Sequence, residues 1–330
     1  MPVTMRDVAQ KAGVSIKTVS RVVNDQGEIS DETRQRVMTA ITELGYRPSR
    51  IARAMVTQRT HTVGMVIPDI TNPFFPEVAR GVQDLAQAKD YNVFICNTDE
   101  YGQEEMQTLY SLADQAVDGI IVFTSIVSDE KLRAFADSFR PIIIINRYFE
   151  HPNVGLVIVD NYRGARLAMA HLLEKGHTAI ATLTGNSASP TKIRRVRGYS
   201  DALTEAGLPV NQNWIIPDTP NMTNGYQATR QLLTQYPQIT AIFAYNDLLA
   251  LGALRACFEL GRRVPADCAV IGFDDIQFAS MVTPSLTTVH YDKYALGQMA
   301  INRLFEMIET PQATFSSIDV EVKLMIREST

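Results

Sequence analysis

Apolar positions follow two different patterns along this chain, and the change falls near residue 60. Before it, the spacing is helical. Val8, Ala9 and Ala12 share one side of a short helix that Thr4 caps, with Asp7 placed favourably in the first turn. Gly13 stops that helix, because glycine reaches positive φ without a Cβ penalty. Ser15 caps a second helix from Ile16 to about Asn24. Ser30 caps a third through Leu44, where Val37, Ile41 and Leu44 recur at helical spacing to cover the first two, and Gly45 ends it. Ala9, Gly13 and Val19 meet the needs of a helix-turn-helix: close crossing, a tight turn, and a branched residue packed underneath.

Beyond residue 60 the pattern becomes continuous apolar runs separated by helical segments. Residues 62–67, 92–97, 119–123 and 141–146 predict strands, with helices at 79–89 and 103–115 and one between the last two strands. The pattern restarts after Asp160. Helix 161–175, strand 179–184, helices 195–205 and 225–235, strand 241–244, helix 247–259 and strand 269–273 follow. Continuous apolar strands with helical crossovers predict parallel sheets covered on both faces. The expected fold is an all-α helix-turn-helix head followed by an α/β body of two Rossmann-like lobes.

Composition changes this picture in one respect. The 330 residues, 45% hydrophobic and 20% charged, describe an ordinary globular chain of two or three folding units. The net charge of -5 argues against nucleic acid, but its distribution does not. Residues 1–59 carry ten Lys/Arg against six Asp/Glu, a net of +4, and the remainder carries a net of -9. A small basic head on an acidic body suits a DNA-binding module. Met1–Asp7 has no apolar core and does not read as a signal peptide. No apolar stretch approaches the ~20 residues of a membrane span. Cys96, Cys257 and Cys268 are too scattered for a disulfide framework or zinc site. A cytoplasmic location without membrane association is expected.

Candidate chemistry falls in both parts. A second helix lying in the major groove would present Ser15, Ile16, Lys17, Thr18, Ser20 and Arg21. Hydroxyls and the helix N-terminus suit phosphates. Lys17 and Arg21 are long enough to reach guanine edges, and Ile16 suits a thymine methyl. Thr4 and Asn24 complete the DNA-facing set of the head. Residues 47–55 hold an early proline and three arginines, with Ile51 and Met55 one helical turn apart. Such a segment is either a flexible linker or a helix that forms on DNA, with Arg53 and Met55 at the minor groove.

In the body, polar residues gather just after strand ends: Asp69, Asn146 with Arg147, Asn246 with Asp247, and Asp274 with Asp275. In open α/β sheets ligands bind beyond the carboxyl ends of strands. Carboxylates and amides there suit the hydroxyls of a sugar, and Phe74 and Phe75 suit its apolar face. Asp247, opening a helix, reads as a cap rather than a ligand contact. An enzyme is the rival reading, but no strand is followed by G-x-G-x-x-G, no phosphate-binding G-x-x-x-x-G-K-[ST] occurs, and the five histidines lack metal-ligand spacing. A transport-type sugar binder would carry a secretion signal and no helix-turn-helix. No catalytic residue and no cofactor is expected.

Thr4-Met5-Arg6-Asp7-Val8-Ala9, Ala12-Gly13-Val14-Ser15, Thr18-Val19-Ser20-Arg21-Val22 and Gly45-Tyr46-Arg47-Pro48 resemble the lactose/galactose repressor (LacI/GalR) family. So do Pro68-Asp69-Ile70-Thr71-Asn72-Pro73-Phe74-Phe75, Arg195-Val196-Arg197-Gly198-Tyr199 and Gly272-Phe273-Asp274-Asp275 in the body. The resemblance runs essentially to the C-terminus. It implies a periplasmic-binding-protein-like (type I) body and a ligand-controlled transcriptional repressor. It implies a DNA-binding domain at 1–46, a hinge helix and linker at 47–59, and a ligand-binding domain at 60–330. The N-terminal lobe would comprise 60–160 and 290–316, and the C-terminal lobe 161–289 and 317–330. Arg195, Asn246 and Asp274 would line the pocket from the C-terminal lobe, and Asp69, Phe74, Asn146 and Arg147 from the N-terminal lobe. Ile16 and Lys17 match the positions that vary most with operator choice. Met55 stands where the family usually has leucine, and 219–224 lacks an aromatic that relatives often place there. The implied partners are a second copy of the chain, near-palindromic double-stranded operator DNA and a small effector, with a sugar the leading candidate. No leucine heptad follows the last strand, so a coiled-coil tetramer is not expected.

Overall fold

The computed structural model describes residues 3–23, 27–46, 59–98, 104–123, 126–185 and 189–330. It divides into two compact units, residues 1–61 and 62–330. In the first, helices α1 (Met5–Ala12), α2 (Ile16–Val23) and α3 (Asp31–Leu44) form where caps and glycines mark them. The Asp7 carboxylate accepts from the Thr4 hydroxyl at 2.7 Å and the Thr4 N–H at 2.8 Å, and these bonds hold it below the usual carboxylate range. Ser15 Oγ accepts from the Thr18 N–H at 3.1 Å, and Ser30 Oγ from the Thr33 N–H at 3.4 Å. Gly13 and Gly45 take φ of 64° and 63° at the ends of α1 and α3. Val8, Val19 and Val37, one from each helix, are fully buried and fix the crossing.

The second unit holds two six-stranded sheets. The first contains β1 (Thr62–Ile67), β2 (Asn92–Asn97), β3 (Gly119–Phe123), β4 (Ile142–Ile145), β5 (Val154–Val159) and, late in the chain, β11 (Ile318–Val320). Its order is β11-β5-β4-β3-β1-β2, all parallel. The second contains β6 (Ile180–Gly185), β7 (Ile215–Asp218), β8 (Ala241–Ala244), β9 (Ala269–Phe273), β10 (Thr287–His290) and β12 (Lys323–Met325). Its order is β12-β10-β9-β8-β6-β7, with β12 alone antiparallel. Helices α4 (Phe74–Ala88), α5 (Glu105–Asp114), α6 (Asp129–Ser138), α7 (Asn161–Glu174), α8 (Pro190–Glu205), α9 (Met222–Gln235), α10 (Asp247–Glu259) and α11 (Lys293–Glu309) accompany the strands. No described helix is long and apolar enough to cross a membrane.

Several elements depart from the sequence pattern, among them α4, α8 and β5. Helix α4 begins at Phe74 rather than near 79, because Pro76 falls in its first turn, where a missing N–H costs no hydrogen bond. Helix α8 begins at Pro190 for the same reason, with Ser189 Oγ accepting from the Lys192 N–H at 3.2 Å. The expected strands omit β5, although Val154–Val159 is an apolar run. Gly155 interrupts it, and a Cβ there would lie 2.7 Å from Ile143 Cδ1 and 2.9 Å from Met307 Sδ.

The chain passes from the first sheet to the second after β5 and returns between β10 and α11. It passes again between β11 and β12. This third passage corrects the lobe boundary expected at 316–317: residues 318–320 pair with β5 and complete the edge of the first sheet. Helix α11 packs on α4 at backbone contact. A Cβ on Gly297 would overlap the Val78 carbonyl oxygen, and one on Gly81 would overlap the Tyr294 carbonyl oxygen. Alanine at Gly297 gains about 1 kcal/mol of helix propensity, but backbone cannot move aside as a side-chain tip can. Gly297→Ala is therefore expected to destabilise the body by a net of about 2 kcal/mol, read as a lower urea midpoint at unchanged m-value. An unchanged midpoint would contradict this packing.

Candidate functional site

Helix α2 turns Val19 and Val22 into the head's core and leaves Ser15, Ile16, Lys17 and Arg21 exposed, with Thr18 and Ser20 half-buried. Ile16 is 46% exposed, so its branched apolar side chain is open to contact from outside. The outward face is cationic, since α2 carries Lys17 and Arg21 and no acid. Ser15 and Thr18 hydroxyls pair with each other at 2.9 Å. Thr4 is exposed, but its N–H and O–H both go to Asp7. Asn24, Arg53 and Met55 lie outside the described residues.

In the body a cleft of about 810 Å³ of open space lies beyond the carboxyl ends of the strands of both sheets. One wall is aromatic. Phe74, Phe75 and Phe123 meet edge to face, with ring centroids 4.9 to 6.2 Å apart. The facing wall is polar and built around Arg195, which is 4% exposed. Its Nε donates to Asn161 Oδ1 at 2.9 Å, its Nη2 to Asp274 Oδ1 at 3.3 Å, and its Nη1 to the Tyr245 carbonyl. The guanidinium lies 3.5 Å from the centroid of the Phe273 ring. Asp274, at φ 107° after β9, also accepts from the Tyr291 hydroxyl at 2.9 Å. Burial pushes the Asp274 carboxyl above its ordinary range, and Arg195 and the Tyr291 hydroxyl offset part of that shift. Asn161 Nδ2 reaches Asn146 Oδ1 at 3.4 Å, so one run of hydrogen bonds joins the two sheets.

Phe74, Phe75, Asn146, Arg195, Asn246 and Asp274 all line this cleft. Asp69 and Arg147 do not. Asp69 Oδ1 accepts from the Thr71 hydroxyl at 2.6 Å and N–H at 2.9 Å, closing a local turn. Arg147 turns to the start of α6, donating to the Val127 carbonyl at 2.6 Å and to the Asp129 carboxylate. The cap of α10 is Asn246, whose Oδ1 accepts from the Leu249 N–H at 3.0 Å, which corrects the reading of Asp247 as the cap. Asp247 instead accepts from the Thr288 hydroxyl at 2.5 Å and the Ile276 N–H at 2.8 Å. Its complete burial, with Asp274 nearby, pushes its carboxyl well up.

The cleft also holds residues that no sequence motif marks. Tyr245, Tyr291 and Thr191 line it, and Asn161 braces it from behind. Thr191 is 3% exposed, and its hydroxyl has no hydrogen-bond partner among the described residues. Asn161 and Tyr291 flank the first two passages between the sheets, a placement that the family's lobe boundaries could have flagged.

A family model described as "Periplasmic binding proteins and sugar binding domain of LacI family" matches residues 60–328, and one described as "Bacterial regulatory proteins, lacI family" matches residues 4–49. The chain belongs to the LacI family. As a LacI-family member it is a DNA-binding transcriptional regulator rather than an enzyme. It is 38% identical over 327 residues to a ribose operon repressor of Halalkalibacterium halodurans, covering 99% of this chain and 97% of that one. It is 35% identical to the catabolite control protein A of Priestia megaterium across the full length of both chains. Among solved structures, the Lac repressor dimer bound to operator and the anti-inducer ONPF matches with a TM-score of 0.89 at 30% identity, covering 100% of this chain and 99% of that one. A LacI-family regulator of Enterococcus faecium with bound ribose matches with a TM-score of 0.74 at 32% identity, over 82% of this chain and 98% of that one.

Asp274→Ala would leave the buried Arg195 guanidinium with neutral acceptors only. It is expected to destabilise this LacI-family body by about 3–5 kcal/mol, whereas Asp274→Asn, which keeps an acceptor oxygen, loses less. Equal losses in chemical unfolding would show that the charge of Asp274 is not what Arg195 requires.

Proposed function

We propose that the protein is a homodimeric repressor whose affinity for a near-palindromic operator is set by a sugar or sugar derivative bound in the cleft. The observation that carries this reading is the pairing of walls in one cavity. The Phe74–Phe75–Phe123 face opposes the Arg195–Asp274–Asn246 face, as a molecule with an apolar ring face and a rim of hydroxyls requires. The ribose bound to the E. faecium regulator and the ribose operon repressor among the relatives support a sugar.

On the DNA side, Ile16, Lys17, Ser20 and Arg21 form the base-facing surface, while the helix start at Ser15 suits a phosphate. Arg53 and Met55, with Asn24, complete the DNA contacts in this reading. Met222, Phe258 and Phe278 stay exposed around one apolar groove on the α9–α10 side, a surface suited to a second copy of the chain. The Lac repressor, whose operator-bound structure is that of a dimer, supports the same assembly. One reading helix per chain then meets one half-site. In this reading the protein acts in the cytoplasm, beside its operator.

Two experiments test the reading. A thermal-shift screen of the full chain against ribose, other sugars and nucleobases is expected to select a sugar, because ligand binding raises apparent stability by mass action. The selected compound is then expected to change operator affinity by about 5–150-fold. No change with a bound compound would overturn effector control. Lys17→Ala is expected to cost about 1–3 kcal/mol on the cognate operator and to relax preference at one base position. Equal losses on all sequences would instead assign Lys17 to a phosphate.

A further inference from the structure

Lys293 opens α11, just after the chain returns from the second sheet to the first. A cation in the first turn faces the positive end of the helix dipole, and this one is only 3% exposed. Neither helix electrostatics nor hydration accounts for it. Its contacts do. The Lys293 ammonium donates to the Asp275 carbonyl at 2.8 Å and the Asp274 carbonyl at 3.0 Å, and lies 3.6 Å from Glu77 Oε2. Of the ammonium's three protons, two go to the turn carbonyls, and the Glu77 carboxylate stands at ion-pair distance.

The partners belong to different lobes. Asp274 and Asp275 form a turn at the end of β9 in the C-terminal lobe, with φ of 107° and 51°. Such backbone is costly for residues other than glycine and persists only where surroundings hold it. The Asp274 side chain faces the cleft, while Asp275 Oδ1 accepts from Arg327 at 2.6 Å and Oδ2 meets His290 Nδ1 at 2.8 Å. Glu77 sits on α4, the N-terminal-lobe helix whose first residues, Phe74 and Phe75, form the aromatic wall.

We infer that Lys293 is a positioning residue: its one buried ammonium ties the 274–275 turn of the C-terminal lobe to α4 of the N-terminal lobe, and so sets both the aim of the Asp274 carboxylate and the spacing of the lobes. Glu77 supplies the counter-charge that lets the ammonium stay buried. Without Lys293 the two turn carbonyls lose their donor and the left-handed backbone loses its brace. The crossing between β10 and α11 then keeps its chain connectivity, the Tyr291–Asp274 bond and the edge-to-face contacts of Tyr291 with Phe74 and Phe273. The regulatory meaning of this tie rests on the cleft being the effector site. Its test does not, because the tie is read with no ligand present.

The test uses the full chain with Cys96→Ser and spin labels on Asp114→Cys in α5 and Glu174→Cys in α7, diluted into unlabelled protein. Double electron–electron resonance of the ligand-free protein is expected to give one narrow interlobe distance. Lys293→Met is expected to broaden it and add a population shifted by about 2 Å or more. Lys293→Arg, which keeps the charge and donors, is expected to restore the narrow distribution, and Glu77→Gln to broaden it less than Lys293→Met. A folded Lys293→Met protein with the parent distribution overturns the inference, and so does an arginine variant as broad as the methionine one. Should Lys293→Met fail to fold, Glu77→Gln decides alone: a parent-width distribution refutes the tie.

Discussion

A buried guanidinium has to be given acceptors, and in this body those of Arg195 come from three separate segments of the C-terminal lobe. Asp274 offers a carboxylate from the end of β9, Tyr245 a carbonyl from the end of β8, and Asn161 an amide oxygen from the first passage between the sheets. Asn161 in turn reaches Asn146 at the end of β4. Through Asn161 the network around this cation reaches the N-terminal lobe. Removing such a pair's partner is more costly than the pair is worth, because the charge left behind stays out of water.

The same requirement explains the backbone around the cleft. Asn146 at φ 65° and Asp274 at 107° are held in conformations that side chains rarely adopt. Each turns a polar side chain back toward the network instead of along its strand. Asn246 serves twice, capping α10 and lining the cleft, so the wall that faces a ligand is anchored to a helix rather than to a loop. Phe74 and Phe75 gain similar rigidity as the first residues of α4, which α11 grips through Gly81 and Gly297.

Much of this was legible in the sequence where a residue's chemistry is fixed by its backbone position. Thr4, Ser15, Ser30, Gly13 and Gly45 marked the head because caps and left-handed stops are local. Polar residues after apolar runs located the cleft because strand ends locate it. What the sequence left undecided is where a long side chain turns. Arg147 follows Asn146 directly, yet its guanidinium goes to Val127 and Asp129, which fold in from before and within α6. Asp69 closes its own turn with Thr71 for the same reason: a nearby donor beats a distant ligand. Proline at the start of α4 and α8 hid the first turns of both, and three-residue β11 is too short to show a period, so the last lobe boundary moved.

The head and the body supply two binding sites joined through one chain, and each site is expected to alter the affinity of the other. Thermodynamic linkage makes that coupling symmetric. The most direct measurement is calorimetric affinity of the screened effector for the full chain, first free and then saturated with operator. The two affinities are expected to differ by the same factor, about 5–150-fold, by which the effector shifts operator affinity. Equal effector affinities with and without operator would contradict this coupling.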